Sequence, residues 1–281
     1  MADVARVEQA IFVDEIGLAY ARLGAAVVKT AFAPVLAVRP EGLVPVAVEG
    51  QAHIVADGRT VAATALLAAL DAPERRFLAT LWQTLHVRNH GHLGVEGLGL
   101  FLRYALDAGA GPDPALRDLR LLAGHMAEAG VEPARTVCEL TGMAGLAPDD
   151  EAMLVEAVRA HGLALALGAD GPAERMPALI ARLRPDLVRL DGGWLARLDG
   201  VAPALRMLGT LVAMLQDDGA EVLVDAIATP RQLATALDCG ADLVCGPLFG
   251  PARPAGALFD PAPRDPQALV DPSSAAVRRR S

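Results

Sequence analysis

Oxygen-bearing side chains lie at or just after the ends of several short apolar segments in this sequence of 281 residues. They are Glu49, Asn89, Glu139, Asp170 and Asp225. If the segments are the parallel strands of one barrel, their carboxyl ends meet at one mouth, where such folds carry functional groups. Carboxylate and amide oxygens gathered there suit a hard divalent cation such as Mg²⁺ or Mn²⁺. The alternative is that chains simply become polar where strands end, and the pattern alone favours neither interpretation.

Histidine and cysteine offer weaker signals. His86, His90 and His92 are close in sequence, and His-x-His is a spacing found in zinc sites. The simpler interpretation is that His86 faces a neighbouring helix while the other two lie in a loop. Cys138 and Cys245 fall in separate predicted strands, where we expect them to be small core residues rather than redox partners.

The elements that must position these residues alternate along the chain. Apolar runs of strand length occur at residues 84–88, 135–140, 162–167, 186–191, 221–227 and 242–245. Helix-like stretches occur at residues 97–108, 114–129, 149–160, 172–183, 202–217 and 230–237. Such repetition predicts parallel strands joined by crossover helices. We expect an α/β fold, a TIM-like βα barrel. An open doubly wound sheet is the alternative, but no Gly-x-Gly-x-x-Gly phosphate loop follows the first strand.

The two ends of the chain differ from this pattern. Residues 4–26 read as a helix, and the runs 30–38 and 43–49 flank a Pro-Glu-Gly turn that predicts an initial antiparallel hairpin. Residues 60–83 are helical in pattern, with a break at Pro73. We expect an N-terminal helix packing on the barrel over residues 1–27, the barrel over 28–255, and a Pro-rich mobile tail over 256–281.

Composition excludes several classes of protein. The hydrophobic fraction of 53% is too high for a disordered chain, and the net charge of −9 argues against binding of a nucleic-acid polymer. No apolar run reaches the roughly 20 residues that span a bilayer, and no signal peptide is recognisable, so we expect a cytoplasmic protein with no membrane partner. Lys29 is the only lysine, so an arginine in place of a lysine reflects composition here.

Six segments then point to one family. They are Lys29–Val35, Val46–Gln51, Cys138–Thr141, Pro185–Asp191, Val222–Thr229 and Gly240–Phe249. In this order and at this spacing, over residues 28–255, they resemble the EAL domain family of cyclic-di-GMP phosphodiesterases. That resemblance implies a bacterial second-messenger role in signal transduction and a reaction in which two divalent cations activate a water against a phosphodiester.

The resemblance also assigns roles to individual residues. It makes Glu49 the namesake metal-binding glutamate, Glu139 a second metal ligand, and Asn89 the asparagine ligand of the second parallel strand, although a shift of one residue would put Arg88 there. The family's Asp-Asp-Phe-Gly falls on residues 168–171, where Gly and Ala replace both aspartates and Asp170 stands at the phenylalanine. The implied metal set, Glu49, Asn89, Glu139 and Asp170, is therefore weak or vestigial, because a dication needs several anionic oxygens.

Other family positions have changed as well. Arg189 stands at the lysine near the attacking water, Asp225 at the glutamate after the seventh strand, and Cys245 at the glutamine before Gly246. His53 replaces a phosphate-contacting arginine and is a weaker anion partner near pH 7. Arg88 and Arg189 could compensate at the mouth. The residues expected to bind a nucleotide are therefore His53, Arg88, Arg189 and Cys245.

These assignments lead to three hypotheses. The first is a degenerate EAL protein without phosphodiesterase activity and without a cofactor, which regulates through a protein partner or residual cyclic-di-GMP binding. The second is an active phosphodiesterase with a rearranged Mg²⁺ or Mn²⁺ site, in which Arg189 and Asp225 serve catalysis. The third is a barrel that binds an unrelated phosphorylated molecule. From the resemblance we also expect a homodimer.

Overall fold

The structure is a computed structural model that describes residues 2–106, 108–168, 175–198 and 201–271. Across those ranges, none of the helices combines the length and apolar character that crossing a bilayer requires. The strands of these ranges are β1 (Ile11–Val13), β2 (Ala19–Leu23), β3 (Ala26–Arg39), β4 (Gly42–Ala56), β5 (Arg59–Val61), β6 (Gly99–Ala105), β7 (Thr136–Thr141), β8 (Ala164–Gly168), β9 (Leu187–Asp191), β10 (Glu221–Asp225), β11 (Leu243–Cys245) and β12 (Arg253–Pro254). The helices are α1 (Ala2–Ala10), α2 (Ala63–Ala68), α3 (Ala72–Asn89), α4 (Asp113–Ala129), α5 (Pro148–Ala160), α6 (Met176–Leu183), α7 (Gly192–Leu198), α8 (Ala202–Asp217), α9 (Pro230–Asp238) and α10 (Pro266–Val270).

Hydrogen bonding places the strands in one sheet with the order β1-β2-β3-β11-β10-β9-β8-β7-β6-β4-β5. Because β3 also pairs with β4, the pairing order returns to β3, which is the topology of a barrel. The pairs β6–β7, β8–β9, β9–β10 and β10–β11 are parallel, whereas β3 runs antiparallel to β11. The predicted α/β barrel with an initial antiparallel hairpin is therefore confirmed.

The chain divides into two compact units. Unit 1 comprises the N-terminal residues to Ala33, Val48–Leu165 and Ala252–Phe259. Unit 2 comprises Pro34–Ala47, Ala166–Pro251 and the residues from Asp260 onward.

The core of unit 1 lies between α1, β2 and α3. Its buried side chains are Val7, Ala19, Ala21, Val28, Ile54, Phe77, Leu78, Leu81, Trp82 and Leu85. Helix α3 begins where the Asp71 side chain accepts a hydrogen bond from the Glu74 amide and Pro73 occupies the first turn. On the surface, Arg6 of α1 pairs with Glu74 and lies over the ring of Phe77.

The core of unit 2 lies between β9–β11 and the helices α8 and α9. Val188, Val222, Val224 and Val244 supply its strand side, as expected for parallel strands buried on both faces. Leu208, Val212, Leu215, Leu233 and Ala236 supply its helix side. Helix α9 begins with a capping box, in which Thr229 and Gln232 bond each other's backbone amides.

Three local predictions were wrong. The N-terminal helix ends at Ala10, and residues 11–13 and 19–23 form the antiparallel pair β1–β2. Residues 84–88 lie in α3 rather than in a strand, because Phe77, Leu78, Leu81 and Leu85 continue one buried helical face through them. The strand of this region is β6, over residues predicted to be helical, and its nearly continuous apolar run is buried on both faces.

The described residues that follow β11 contact earlier strands. Residues 253–254 pair with β3, Leu43 and Arg264 pair through their backbones, and α10 spans Pro266–Val270. The Arg264 guanidinium donates to the carbonyl of Phe249 at 2.6 Å. Residues 272–281 lie outside the described residues, and the predicted domain boundaries remain a prediction.

Candidate functional site

Strand β6 presents one charged side chain beside the carboxylates that the sequence singled out. β6 and β7 pair in parallel with Arg103 level with Glu139 and Tyr104 level with Leu140. Because successive side chains of a strand point to opposite faces, Arg103 and Tyr104 point away from each other. Arg103 is half exposed and Tyr104 is buried.

Two contacts hold β6 in this position. The buried hydroxyl of Tyr104 donates to the carboxylate of Asp118 in α4, and the guanidinium of Arg76 in α3 donates to the same carboxylate at 2.9 and 3.1 Å. Burial first, and then the charge of Asp118, raises the pKa of Tyr104, so the phenol stays protonated. The Gln83 amide donates to the carbonyl of Arg103 itself at 2.6 Å. The backbone of β6 is therefore fixed independently of the Arg103 side chain.

The guanidinium of Arg103 contacts both of the predicted metal-binding glutamates, and these three residues are called the Arg103 cluster below. Its Nη2 atom lies 3.4 Å from Glu49 Oε1, and its Nε atom donates to Glu139 Oε2 at 3.2 Å. The Glu139 side chain is 2% exposed and that of Glu49 is 14% exposed. Two carboxylates thus share one permanently charged guanidinium.

The donor set of the Arg103 cluster does not fit the divalent cation that the family resemblance implies. A hard cation is bound by oxygen atoms at about 2.0–2.6 Å, and it would have to share these carboxylates with a positive charge already in contact with them. Arginine does not lose its proton in proteins, so pH does not remove this charge. The residues present therefore suit an internal ion pair and not a metal centre.

Asn89 and Arg88 lie on a helix and not at a strand end, so their predicted placement was wrong. Asn89, at the end of α3, forms two hydrogen bonds with the backbone of Ala19 at 2.8 Å and donates to the Thr30 hydroxyl at 3.2 Å. Arg88 donates to both carboxylate oxygens of Glu8 in α1 at 2.8 Å. Each side chain joins α3 to another element of unit 1.

His86 packs directly behind the Glu49 segment. A Cβ atom on Gly50 would lie 2.3–2.7 Å from three atoms of His86, so only glycine allows this approach. The ring forms a hydrogen bond with the Thr30 hydroxyl at 3.1 Å, and burial lowers the pKa of His86 to about 3. The ring is therefore neutral at physiological pH, and it faces β3 and β4 rather than the neighbouring helix that the simpler interpretation expects.

The remaining predicted residues of unit 1 contribute no further charge to the cluster. His53 is exposed on β4, four residues after Glu49. Cys138 is buried beside Glu139, and burial first, with the Glu139 charge second, raises the pKa of its thiol to about 12. It is therefore a neutral core residue. Within the described ranges no group of three or more His, Cys, Asp or Glu residues has the arrangement of a metal site.

Unit 2 contains a second arginine–carboxylate arrangement, called the Arg189 cluster below. The Arg189 guanidinium of β9 donates to Asp225 Oδ2 of β10 at 2.8 Å, and the Cys245 thiol of β11 donates to Asp225 Oδ1 at 3.1 Å. The guanidinium Nη1 also lies 3.9 Å from the Cys245 sulfur. Three residues predicted from separate motifs are thus brought together by the pairing of three neighbouring strands.

Asp225 is held as a carboxylate in the Arg189 cluster. Burial acts to raise its pKa, but the Arg189 charge, the Cys245 thiol and the Ala226 amide outweigh this and lower it to about 2. Gly168 ends β8 beside Arg189 and has no side chain to offer a ligand. Asp170 lies outside the described residues. Asp191 accepts a hydrogen bond from the Gly193 amide at 2.8 Å and caps the turn that follows β9.

Comparison with known families identifies the domain. Residues 116–252, which include Glu139 and the whole Arg189 cluster, match the EAL domain. This chain carries an EAL domain. The family predicted from the six segments is therefore confirmed. A comparison with curated protein sequences found no match.

Solved structures of EAL proteins share the fold. The Bacillus subtilis YkuI protein in complex with cyclic-di-GMP and calcium is 18% identical, with a TM-score of 0.68, over 90% of this chain and 60% of that one. Klebsiella pneumoniae BlrP1 with calcium and cyclic-di-GMP is 17% identical, with a TM-score of 0.66, over 82% of this chain and 57% of that one. BlrP1 is also known with FMN and cyclic-di-GMP and no metal ions, at 16% identity and a TM-score of 0.60 over 81% of this chain and 53% of that one.

Length distinguishes these relatives. The chain spans about 60% or less of YkuI and of BlrP1. In contrast, a standalone EAL protein of Vibrio cholerae in its cyclic-di-GMP-bound form is matched over 94% of its length and 83% of this chain, at 14% identity and a TM-score of 0.64.

Arg103 is the functional residue that the sequence analysis missed. It lay in a segment predicted to be helical and was therefore not counted among the strand ends. The available signal was a single charged residue in the apolar run Leu98–Ala105, which has the length and flanks of a buried strand.

Proposed function

We propose that this EAL protein acts in cyclic-di-GMP-linked regulation without hydrolysing the dinucleotide, by binding a protein partner or the nucleotide itself. The observation that carries the proposal is the Arg103 cluster, in which one guanidinium contacts both Glu49 and Glu139. Metal-assisted hydrolysis requires an ion with open coordination positions that lowers the pKa of a bound water. A guanidinium neutralises the carboxylates but has no coordination position for that water.

The Arg189 cluster supports the same conclusion. Arg189 and Asp225, the residues expected to serve catalysis in an active enzyme, are hydrogen-bonded to each other, and Asp225 also accepts from Cys245. A general base needs a pKa near the operating pH, whereas the pKa of Asp225 is lowered to about 2. Asp225 therefore serves as the counter-ion of Arg189.

The chain can bind the nucleotide without hydrolysing it. EAL relatives of the same fold are known in complex with cyclic-di-GMP, and one of them holds it without metal ions. We therefore place cyclic-di-GMP, or a protein whose activity depends on it, among the partners of this chain. In the nucleotide form of the proposal, binding does not depend on Mg²⁺.

A turnover assay tests the proposal. The full chain in excess over cyclic-di-GMP is incubated with Mn²⁺ or Mg²⁺, and the linear dinucleotide is measured by chromatography. We expect no product above that of the Glu49→Ala variant. Linear product that forms with the native chain and disappears in Glu49→Ala would overturn the proposal in favour of a metal-dependent phosphodiesterase.

Calorimetric titration separates the two forms of regulation. We expect cyclic-di-GMP to give the same heat of binding with Mg²⁺ and with EDTA if the nucleotide is the ligand. No heat under either condition assigns the regulatory role to a protein partner. Binding that requires Mg²⁺ contradicts both forms, because it needs a metal where the Arg103 cluster has a guanidinium.

A further inference from the structure

We infer that the Arg103 guanidinium takes the place of a divalent cation between Glu49 and Glu139, and that its replacement by asparagine turns the cluster into a cation-binding site. This inference rests on the same site as the proposed function, but it concerns metal affinity and not turnover. It assigns to Arg103 the role of determining which cation the two carboxylates hold.

The charges of the cluster favour this role. Two carboxylates, one 2% and one 14% exposed, lie within 3.2 and 3.4 Å of one guanidinium. Such a pair of partly buried negative charges is stabilised by a positive charge beside it. The Arg103 side chain supplies that charge, and the guanidinium repels any second cation that approaches the same oxygens.

The backbone makes the replacement feasible. The Arg103 position is held by pairing with β7, by the Gln83 amide on its carbonyl, and by the neighbouring Tyr104 hydroxyl on Asp118. None of these contacts uses the Arg103 side chain. A smaller residue therefore leaves β6 in place, and Glu49 and Glu139 remain beside each other while losing their shared guanidinium.

Asparagine is the most informative replacement. Its amide oxygen is a ligand of the type that Ca²⁺, Mg²⁺ and Mn²⁺ accept, and its shorter side chain leaves a space between the two carboxylates. With Arg103 gone, the negative charge of the cluster attracts a divalent cation without a competing positive charge. In the native chain, the positive charge of Arg103 is the reason that these residues do not form a metal centre.

The experiment is a Mn²⁺ titration followed by electron paramagnetic resonance, which distinguishes free from bound Mn²⁺ and needs no substrate. It compares the native full chain, Arg103→Asn, Glu49→Gln, and the double variant that combines the two substitutions. Arg135→Asn is the matched control, since it makes the same change in an exposed pair with Glu132 elsewhere in unit 1. Circular dichroism checks that each variant is folded.

We expect one Mn²⁺ to bind Arg103→Asn at least tenfold more tightly than the native chain or Arg135→Asn, and this gain to disappear in the double variant. The inference is overturned if folded Arg103→Asn binds Mn²⁺ no better than the native chain. It is also overturned if the native chain itself binds Mn²⁺ in a way that Glu49→Gln removes.

A folding failure is also informative. Arg103→Gln retains more of the side-chain length and is titrated in parallel. If neither variant folds, the guanidinium is required by the fold and is not an exchangeable cation, which contradicts the inference. Failure of the proposed function is recognised separately, from linear dinucleotide or from Mg²⁺-dependent nucleotide binding by the native chain, whatever Arg103→Asn does in the Mn²⁺ titration.

Discussion

The Arg103 and Arg189 clusters both pair an arginine with carboxylates on neighbouring strands, but they differ in burial. The Arg103 side chain is 44% exposed, whereas that of Arg189 is 4% exposed. An exposed guanidinium is solvated by water when its partners are removed, while a buried one is not. The guanidinium is therefore half solvated above buried carboxylates in unit 1, and it is part of the packed interior in unit 2.

This difference separates two ways in which an arginine can hold carboxylates on neighbouring strands. In unit 2, Arg189, Asp225 and Cys245 are hydrogen-bonded to one another, so a single change leaves a buried group without that partner. In unit 1, β6 is held by contacts that do not involve the Arg103 side chain, so a single change alters charge without altering the fold. We therefore expect one substitution to change the charge of the cluster while keeping the fold only in unit 1.

The largest effect is expected for Arg189→Met. It removes the positive charge and leaves Asp225 partly buried without this partner, which costs roughly 3–5 kcal/mol of unfolding free energy for a broken buried pair. We expect the lower end, since Asp225 keeps 24% of its side chain exposed. Urea unfolding followed by circular dichroism measures the loss of unfolding free energy.

Adding Asp225→Asn to Arg189→Met provides the control. Because the amide carries no charge, the double variant is expected to recover part of the lost stability. A loss below about 1 kcal/mol in Arg189→Met, the range of an exposed pair, would remove the distinction between the two clusters.

An intermediate effect on stability is expected when the pH is lowered. Burial lowers the pKa of His86 from 6.5 to about 3, so below pH 6.5 the unfolded chain binds a proton that the folded chain does not. Stability therefore falls with pH from 6.5 towards 3, by up to about 1.4 kcal/mol per pH unit. Asp225, with its pKa lowered from 3.8 to about 2, contributes stability above pH 3.8 that is lost only as pH falls through 2.

Urea unfolding at pH 7 and pH 4.5 measures this contribution. We expect the native chain to lose about 2 kcal/mol more than His86→Leu over that interval. An Asp225→Asn variant should show the native pH dependence. Equal losses in native and His86→Leu protein would show that the ring titrates normally and is not buried as described.

The smallest effect is expected for Arg103→Met. Its guanidinium is half exposed and accessible to water, but the substitution leaves the buried Glu139 carboxylate without that charge. The unfolding free energy should therefore fall by about 1–2 kcal/mol, less than for Arg189→Met. The measurement is the same urea unfolding at pH 7, with Arg135→Met as the matched exposed pair. A loss comparable to that of Arg189→Met would mean that Arg103 belongs to the packed interior.

Strands were predicted correctly where the local sequence pattern is strong. Residues 221–227 and 242–245 read correctly as strands because short apolar runs are bounded by polar residues. Residues 84–88 have the same appearance, but they continue the buried face of α3. Short apolar runs do not distinguish a strand from the end of a buried helix, and this ambiguity misplaced Arg88, Asn89 and Arg103 together.

The amino-acid order alone determined the hairpin, most of the parallel strands and the family, and it places glycine and alanine at residues 168–169. These features are local, since turn residues, apolar runs and motif order can be read without knowing which strands pair. Only the tertiary structure decided that Arg103 meets Glu49 and Glu139, and that Arg189 meets Asp225 and Cys245. The physical reason is that strand register brings together side chains 36 or more residues apart, and register depends on the packing of the whole sheet.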